Sequence, residues 1–327
     1  MTQSNEMSTT SCDLCGGTQF EALSQHDRHG KDLETVVCTG CGLVMHMPVP
    51  SEQEVEDYYA NAYRQDYHGE SVPNVRRVMR AWKNGERIYK RISPFLNKQD
   101  RCMEVGAGLG CTVKVFDTHG YQAFGIEPNK DFNSYSREQL HANVENTNLY
   151  TLEEKPIADV IFLIHVIEHF SSPRRALTKM AQLLEDGGRL YMECPNLIGP
   201  FSTFGRMFHY AHIYNFTPQT LIAIAAQCGF EVEQVFTTQD EPNIEILFRK
   251  ISAQDTVAQN TAVQNATATL AEHAALVKKE VGHYNWFTYH LRMGYWVLRV
   301  KKLWSYLVEM LCAKGFVQKL LEKLAQA

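Results

Sequence analysis

Arg101-Cys102-Met103-Glu104-Val105-Gly106-Ala107-Gly108-Leu109-Gly110 is the stretch that decides the fold. Its first half reads as a buried strand. The three glycines then make a turn whose backbone can approach a ligand closely where a helix begins. A dinucleotide site expects glycine at the sixth position of that turn, so that helix and strand pack tightly under a pyrophosphate. Cys111 stands there instead, and Glu104 precedes the first glycine by two residues. A carboxylate there repels a pyrophosphate but suits a ligand carrying an ammonium and a sulfonium. S-adenosylmethionine carries both, so charge favours it over NAD.

Working outward from this turn, strands alternate with helices from Arg101 to about Lys250, the pattern of a doubly wound α/β sheet. Strand candidates are Cys102–Val105, Ala123–Ile126, Val160–Ile164, Arg189–Glu193, Glu231–Phe236 and Ile244–Phe248. Helix ends are expected at Gly120, Gly187 and Gly229, and Thr217-Pro218 reads as a helix start with its cap and its first-turn proline. Glu127 lies 19 residues after Gly108, at the end of the second strand, where a carboxylate accepts from both ribose hydroxyls. The strand Val160–Ile164 runs into His165, Glu168 and His169. Ligands bind at the carboxyl ends of parallel strands, which puts these three near the site.

Upstream, Cys12-Asp13-Leu14-Cys15-Gly16 and Cys38-Thr39-Gly40-Cys41-Gly42 are two CxxC turns with 22 residues between them. Paired thiolates at this spacing suit a tetrahedral Zn2+, and four sulfurs close its coordination sphere, so the ion is expected to be structural. Ser51 and Glu54 make a capping box for a helix, followed by Tyr58, Tyr59, Tyr63 and Tyr67. The expected organisation is a zinc-ribbon segment at 1–47, a helical cap at 48–98, an S-adenosylmethionine-binding core at 99–250 and a linker with a basic helical tail at 251–327.

That tail repeats apolar residues at helical spacing from Met293 to Leu311 and carries three of the four tryptophans. Residues 278–327 hold nine Lys/Arg and three Glu, although the chain as a whole is at −5. Three readings fit: docking on its own domain or a second subunit, which is favoured, docking to another enzyme of the same pathway, and contact with a membrane surface. The acidic balance argues against nucleic acid as a partner. Nothing in the sequence has the length and apolarity of a membrane span, and cysteines in CxxC pairs suit a reducing cytoplasm.

Taken together, these motifs resemble a class I S-adenosylmethionine-dependent methyltransferase with a Rossmann-like, doubly wound, seven-stranded sheet. Glu104–Gly110 resembles its glycine-rich motif, Glu127 its ribose-binding acid and His165–His169 its post-strand motif. The cysteine knuckles leading into tyrosine-rich helices resemble the N-terminal segment of sugar methyltransferases of deoxysugar, O-antigen and capsule polysaccharide pathways. The resemblance implies that Glu104, Gly106, Gly108 and Gly110 face the methionyl part of the cofactor, with His165 beside it, Glu127 on the ribose and Tyr63 closing over it. It implies a small-molecule or carbohydrate acceptor in the region of Phe208–Phe216. A histidine is the natural base near neutral pH, and His212, His209 and His169 are the candidates in that order. Two other readings stay open: a catalytically inactive adaptor of the same fold, and an NAD(P)-dependent oxidoreductase.

Overall fold

The computed structural model of the chain describes residues 11–58, 73–199, 202–238 and 241–326. Strands β1 (Phe20–His26), β2 (Asp32–Cys38) and β3 (Val44–His46) come first, then helices α1 (Glu52–Asp57) and α2 (Val75–Ile92). Next are β4 (Arg101–Val105), α3 (Cys111–Thr118), β5 (Gln122–Ile126), α4 (Lys130–Glu138) and β6 (Val144–Glu145). The α/β part is completed by β7 (Ala158–Ile164), α5 (Pro173–Leu183), β8 (Leu184–Pro195), β9 (Tyr214–Asn215), α6 (Pro218–Gln227), β10 (Phe230–Val235) and β11 (Asn243–Lys250). Helices α7 (Thr256–Thr267), α8 (Leu270–His283), α9 (Trp286–His290) and α10 (Met293–Ala325) follow.

Among the described residues the main sheet has seven strands in the order β10-β11-β8-β7-β4-β5-β6. All neighbours run parallel except β11, which is antiparallel to both β8 and β10. The central strands are apolar on both faces because helices cover both sides. In β7 every residue from Val160 to Leu163 is buried. Successive connections leave β4 toward β5 and β6 on one side, and leave β7 toward β8 on the other. That reversal opens a crevice at the carboxyl ends of β4 and β7, where the glycine turn and His165 meet.

A second, antiparallel sheet runs β1-β2-β3-β9. Its last strand comes from the segment after β8, so the cysteine-bearing N-terminus and that segment share one sheet, with Met45 paired to Tyr214. Asp13, inside the first CxxC turn, accepts from Ser172 and from the Arg174 amide at the start of α5, which fastens that turn to the core.

The expected caps are present. Ser51 and Glu54 form the capping box of α1, and Thr217 caps α6 with Pro218 in its first turn. Gly120 and Gly229 follow helix ends in the left-handed region, at φ 83° and 85°. Gly187 does not end a helix. The helix stops at Leu183, and Gly187 lies within the long strand β8, because Leu184 has already paired with Ala158. Residues 251–275, read from composition as a linker or weak helix, carry α7 and the start of α8. Val277 and Val281 of α8 pack into a cluster with Phe208 and Met207, and tertiary burial supplies what propensity did not.

Candidate active site

Gly106, Gly108 and Gly110 lie at positive φ, but their surroundings differ. A Cβ on Gly106 would meet Val166 at 2.7 Å, and one on Gly110 would meet Ser136 at 2.8 Å. Those two are required by close packing. Gly108 has nothing within 4 Å of where a Cβ would be, so it is the glycine whose face is open to a ligand. Its amide donates to Glu127 Oε2 at 2.8 Å, and the Asn129 amide donates to Oε1 at 2.7 Å. Glu127 therefore holds the turn in shape as well as presenting its remaining lone pairs. Burial pushes its carboxyl upward, partly offset by those two amides.

Glu104 is 5% exposed, and its Oε2 has no hydrogen-bond partner among the described residues. Burial raises its carboxyl to about 8, although Thr112 and the Val113 amide donate to it. A buried carboxylate oxygen without a donor is costly, and a cationic ligand group is what would satisfy it. These residues therefore fit the methionyl ammonium of S-adenosylmethionine.

His165 lies across the crevice at φ 53°, a left-handed backbone unusual for a residue with a Cβ. Its Nδ1 is 3.6 Å from Glu168 Oε1 and its Nε2 is 3.4 Å from Glu193 Oε1. Burial alone would favour the neutral ring. The two carboxylates outweigh it and push the pKa up to about 10. Glu193 is held low, to about 2, because His165 and Arg87 overcome its desolvation. Arg87 of α2 bridges Glu193 at 2.5 Å and Glu245 at 2.6 Å, tying the helix to the sheet beneath the site.

Beside His165 a cleft of about 780 Å³ is lined by His169, His209, His212, Glu168 and Arg28, among others. Glu168 is 1% exposed and neither of its oxygens has a hydrogen-bond partner among the described residues. Three imidazoles surround it, with His169 Nε2 at 3.9 Å and His212 Nε2 at 4.0 Å as well as His165. His169 Nδ1 lies 2.5 Å from the Ala211 carbonyl, so that nitrogen carries the proton and Nε2 faces the carboxylate. The His209 and His212 rings lie 3.8 Å apart. Burial drives the His209 pKa down to about 3 and that of His212 well below the usual range, with neighbouring cationic groups adding to both. Both rings are neutral at pH 7.

The four cysteines also converge. Cys12 and Cys41 sulfurs are 3.5 Å apart, as are those of Cys15 and Cys38, and all four ligand atoms lie within 4.8 Å of one another. No disulfide joins them. Zinc–sulfur bonds of about 2.3 Å in a tetrahedron place sulfurs at nearly this spacing, so the set fits a zinc ion.

The structure thus brings Glu104, Gly106, Gly108, Gly110 and Glu127 to one side of the crevice and His165, His169, His209 and His212 to the other. Tyr63 and Tyr67 lie outside the described residues. Tyr58 is described, and its ring lies 5.0 Å from that of Tyr210 beside the cleft. Sequence reasoning missed Glu193, Arg28 and His46. Glu193 lies near the carboxyl end of β8, which runs parallel to β7, and was reachable by the rule that found His165. Arg28 and His46 come from the N-terminal segment, and only the shared sheet brings them near.

The sequence model of a family described as "Methyltransferase domain" matches residues 74–235. An "Uncharacterized methyltransferase" of Alkaliphilus oremlandii is 25% identical over 96 residues, 28% of this chain and 44% of that protein, so the match spans under half of the relative's length. Among solved structures, magnesium protoporphyrin IX methyltransferase of Synechocystis with bound S-adenosylhomocysteine aligns at a TM-score of 0.46 and 14% identity, over 61% of this chain and all of that one. The CcbJ methyltransferase of Streptomyces caelestis aligns at 0.45 and 16% identity, over 51% and 95%. The glycine turn, the acid after β5 and the post-strand histidines all lie inside the span, residues 74–235, that matches this methyltransferase-domain model.

Proposed function

We propose that the protein transfers a methyl group from S-adenosylmethionine to a small-molecule or carbohydrate acceptor bound in the histidine-lined cleft. The observation that carries this reading is the pairing of two features at one crevice. On one side is a buried carboxylate with an orphaned oxygen beside an open glycine. On the other is a cleft in which burial keeps the His209 and His212 rings neutral.

Bound at the glycine turn, S-adenosylmethionine supplies an electrophilic methyl on a sulfonium. Glu104 would take its ammonium, Glu127 its ribose hydroxyls, and the Gly108 backbone would lie against it. His165, cationic between two carboxylates, is not a base. It orders the cleft's floor. His212 is the best-placed base, because the imidazolium formed when it takes the acceptor's proton would stand 4.0 Å from the Glu168 carboxylate. The His209 ring lies behind it, tilted by 49°, and His169 is anchored to the Ala211 carbonyl. Alignment of the acceptor in line with the methyl is the remaining contribution of the cleft walls.

The four cysteines would hold a structural zinc ion that organises the N-terminal sheet, and the mixed polar and basic cleft suits a hydroxylated acceptor such as a sugar nucleotide or glycan precursor. An acceptor screen tests this. Radiolabelled S-adenosylmethionine incubated with sugar nucleotides, free sugars and small amines should label a carbohydrate. Labelling of protein or nucleic acid alone would contradict the acceptor class.

A further inference from the structure

Glu309 divides α10 into two unlike halves. On its C-terminal side, Ala313, Val317, Leu320 and Leu324 are buried in one cluster with Val78, Met79 and Trp82 of α2. Glu309 itself is buried, 3.5 Å from Arg80 of α2. On the N-terminal side Trp296, Val300, Leu303, Trp304 and Leu307 form one apolar stripe at helical spacing, each 44% to 67% exposed. Trp286 and Phe287 of α9 continue it at 63% and 66%. One half of the helix is therefore fastened to the domain while the other presents a long open apolar face. Soluble monomers rarely expose such a face without a use for it.

The charge around the stripe indicates the occupant. Between residues 281 and 308 the charged side chains are Arg292, Arg299, Lys301 and Lys302, with no Asp or Glu. Arg299, Lys301 and Lys302 are exposed. Elsewhere among the described residues, large exposed apolar side chains are scattered, such as Val75 on α2, Tyr210 by the cleft and Val257 on α7. A second copy would therefore have to cover the stripe with its own stripe, which sets basic flank against basic flank with no acid to pair. An anionic lipid surface meets both requirements. Its headgroups pair with the cations, tryptophans favour the interface, and the aliphatic side chains enter the acyl boundary. No helix among the described residues is long and apolar enough to cross a membrane, so this face would lie on the surface.

We propose that α9 and the first half of α10 dock the protein on an anionic membrane surface, which places the methyltransferase domain beside lipid-linked or membrane-proximal acceptors. The test is co-sedimentation of the full chain with vesicles of phosphatidylcholine containing about one-third phosphatidylserine, against phosphatidylcholine alone. Two double variants accompany it, Trp296→Ser with Trp304→Ser and Arg299→Glu with Lys302→Glu, all at exposed positions. Their melting temperatures and S-adenosylhomocysteine binding should equal those of the wild type.

The wild type should pellet with the anionic vesicles only. Each basic residue near such a surface is worth roughly fivefold in partitioning, so the charge reversal should lower it at least about tenfold, and about 0.5 M salt should do the same. Three results would overturn the proposal: no binding to anionic vesicles, equal binding to both lipids, or a solution dimer that the tryptophan pair dissociates while lipid binding is absent.

Discussion

His46 Nε2 lies 3.0 Å from the His209 carbonyl, so the strand that follows the second CxxC turn holds the backbone of the cleft's histidine segment. A carbonyl only accepts, which fixes the proton on Nε2 and leaves Nδ1 to accept from the Thr35 hydroxyl at 3.1 Å. Burial keeps the ring neutral, with its pKa down to about 4. The relationship joins the cysteine-bearing sheet to the site where an acceptor would be deprotonated. Replacing His46 with Ala leaves a buried carbonyl and a buried hydroxyl unpartnered, at a cost of about 1–3 kcal/mol. Urea unfolding should show a lower midpoint, and an unchanged midpoint would mean that the bond contributes nothing.

Glu127→Ala removes the acceptor of the Gly108 and Asn129 amides together with the proposed partner of the ribose. Affinity for S-adenosylhomocysteine should fall by roughly 1.5–3 kcal/mol, the worth of a charge-assisted pair. Calorimetry with the wild type alongside reads this directly, and retained affinity would remove Glu127 from the cofactor site.

With Glu104 as the proposed partner of the ammonium, cofactor binding should depend on pH. The folded-state pKa of Glu104, about 8, lies above the ordinary 4.5, so without ligand the carboxyl is largely protonated at pH 7. Raising an acid's pKa in the folded state stabilises the ligand-free fold below pH 4.5, and that contribution is lost as pH rises through 8. Binding an ammonium requires the carboxylate, so affinity should rise toward pH 8 with release of a proton. Glu104→Gln should flatten the profile and make the ligand-free protein relatively more stable above pH 8. Calorimetry in buffers of different ionisation enthalpy measures the proton count, and zero protons released by the wild type at pH 7 would contradict the assignment.

The cleft's histidines should titrate far apart. His165 should stay protonated until about pH 10, while His209 should stay neutral down to about pH 3. Imidazole resonances in a histidine-labelled sample would show this. A His209 midpoint near the ordinary 6.5 would mean that the ring is not buried as the structure places it.

Zinc removal should propagate. Cys38 ends β2, β2 pairs with β3, and β3 pairs with β9 beside the cleft. Chelation or Cys38→Ser should therefore lower the melting temperature and loosen the His209–His212 segment as well as the N-terminus. Protein that carries no zinc when purified from zinc-replete cells, with stability indifferent to chelator, would contradict a metal at this site.

Much of this architecture was legible because each piece is locally coded. The strand–glycine–helix run at Arg101–Cys111, the acid after β5 and the proline-led cap of α6 all announce themselves within a few residues. β6 was missed because only Val144 and Glu145 pair, too short for an alternating pattern. The site divides in the same way. Glu104 and Glu127 were found because their distance from the glycines is a sequence quantity. The Glu168 pocket was only half seen, since its three imidazoles come from residues 165, 169 and 212. The contact of His46 with His209 spans 163 residues, and its only trace in the sequence is a histidine in an otherwise apolar strand.

The central claim is that the crevice between β4 and β7 binds S-adenosylmethionine. Isothermal titration of the purified full chain with S-adenosylhomocysteine, with NAD(H) and NADP(H) in parallel cells, tests it most directly. One molecule of S-adenosylhomocysteine bound per chain, with no heat from either dinucleotide, is the predicted result. Binding of a dinucleotide in place of S-adenosylhomocysteine would contradict the reading of Glu104, and with it the chemistry assigned to the site.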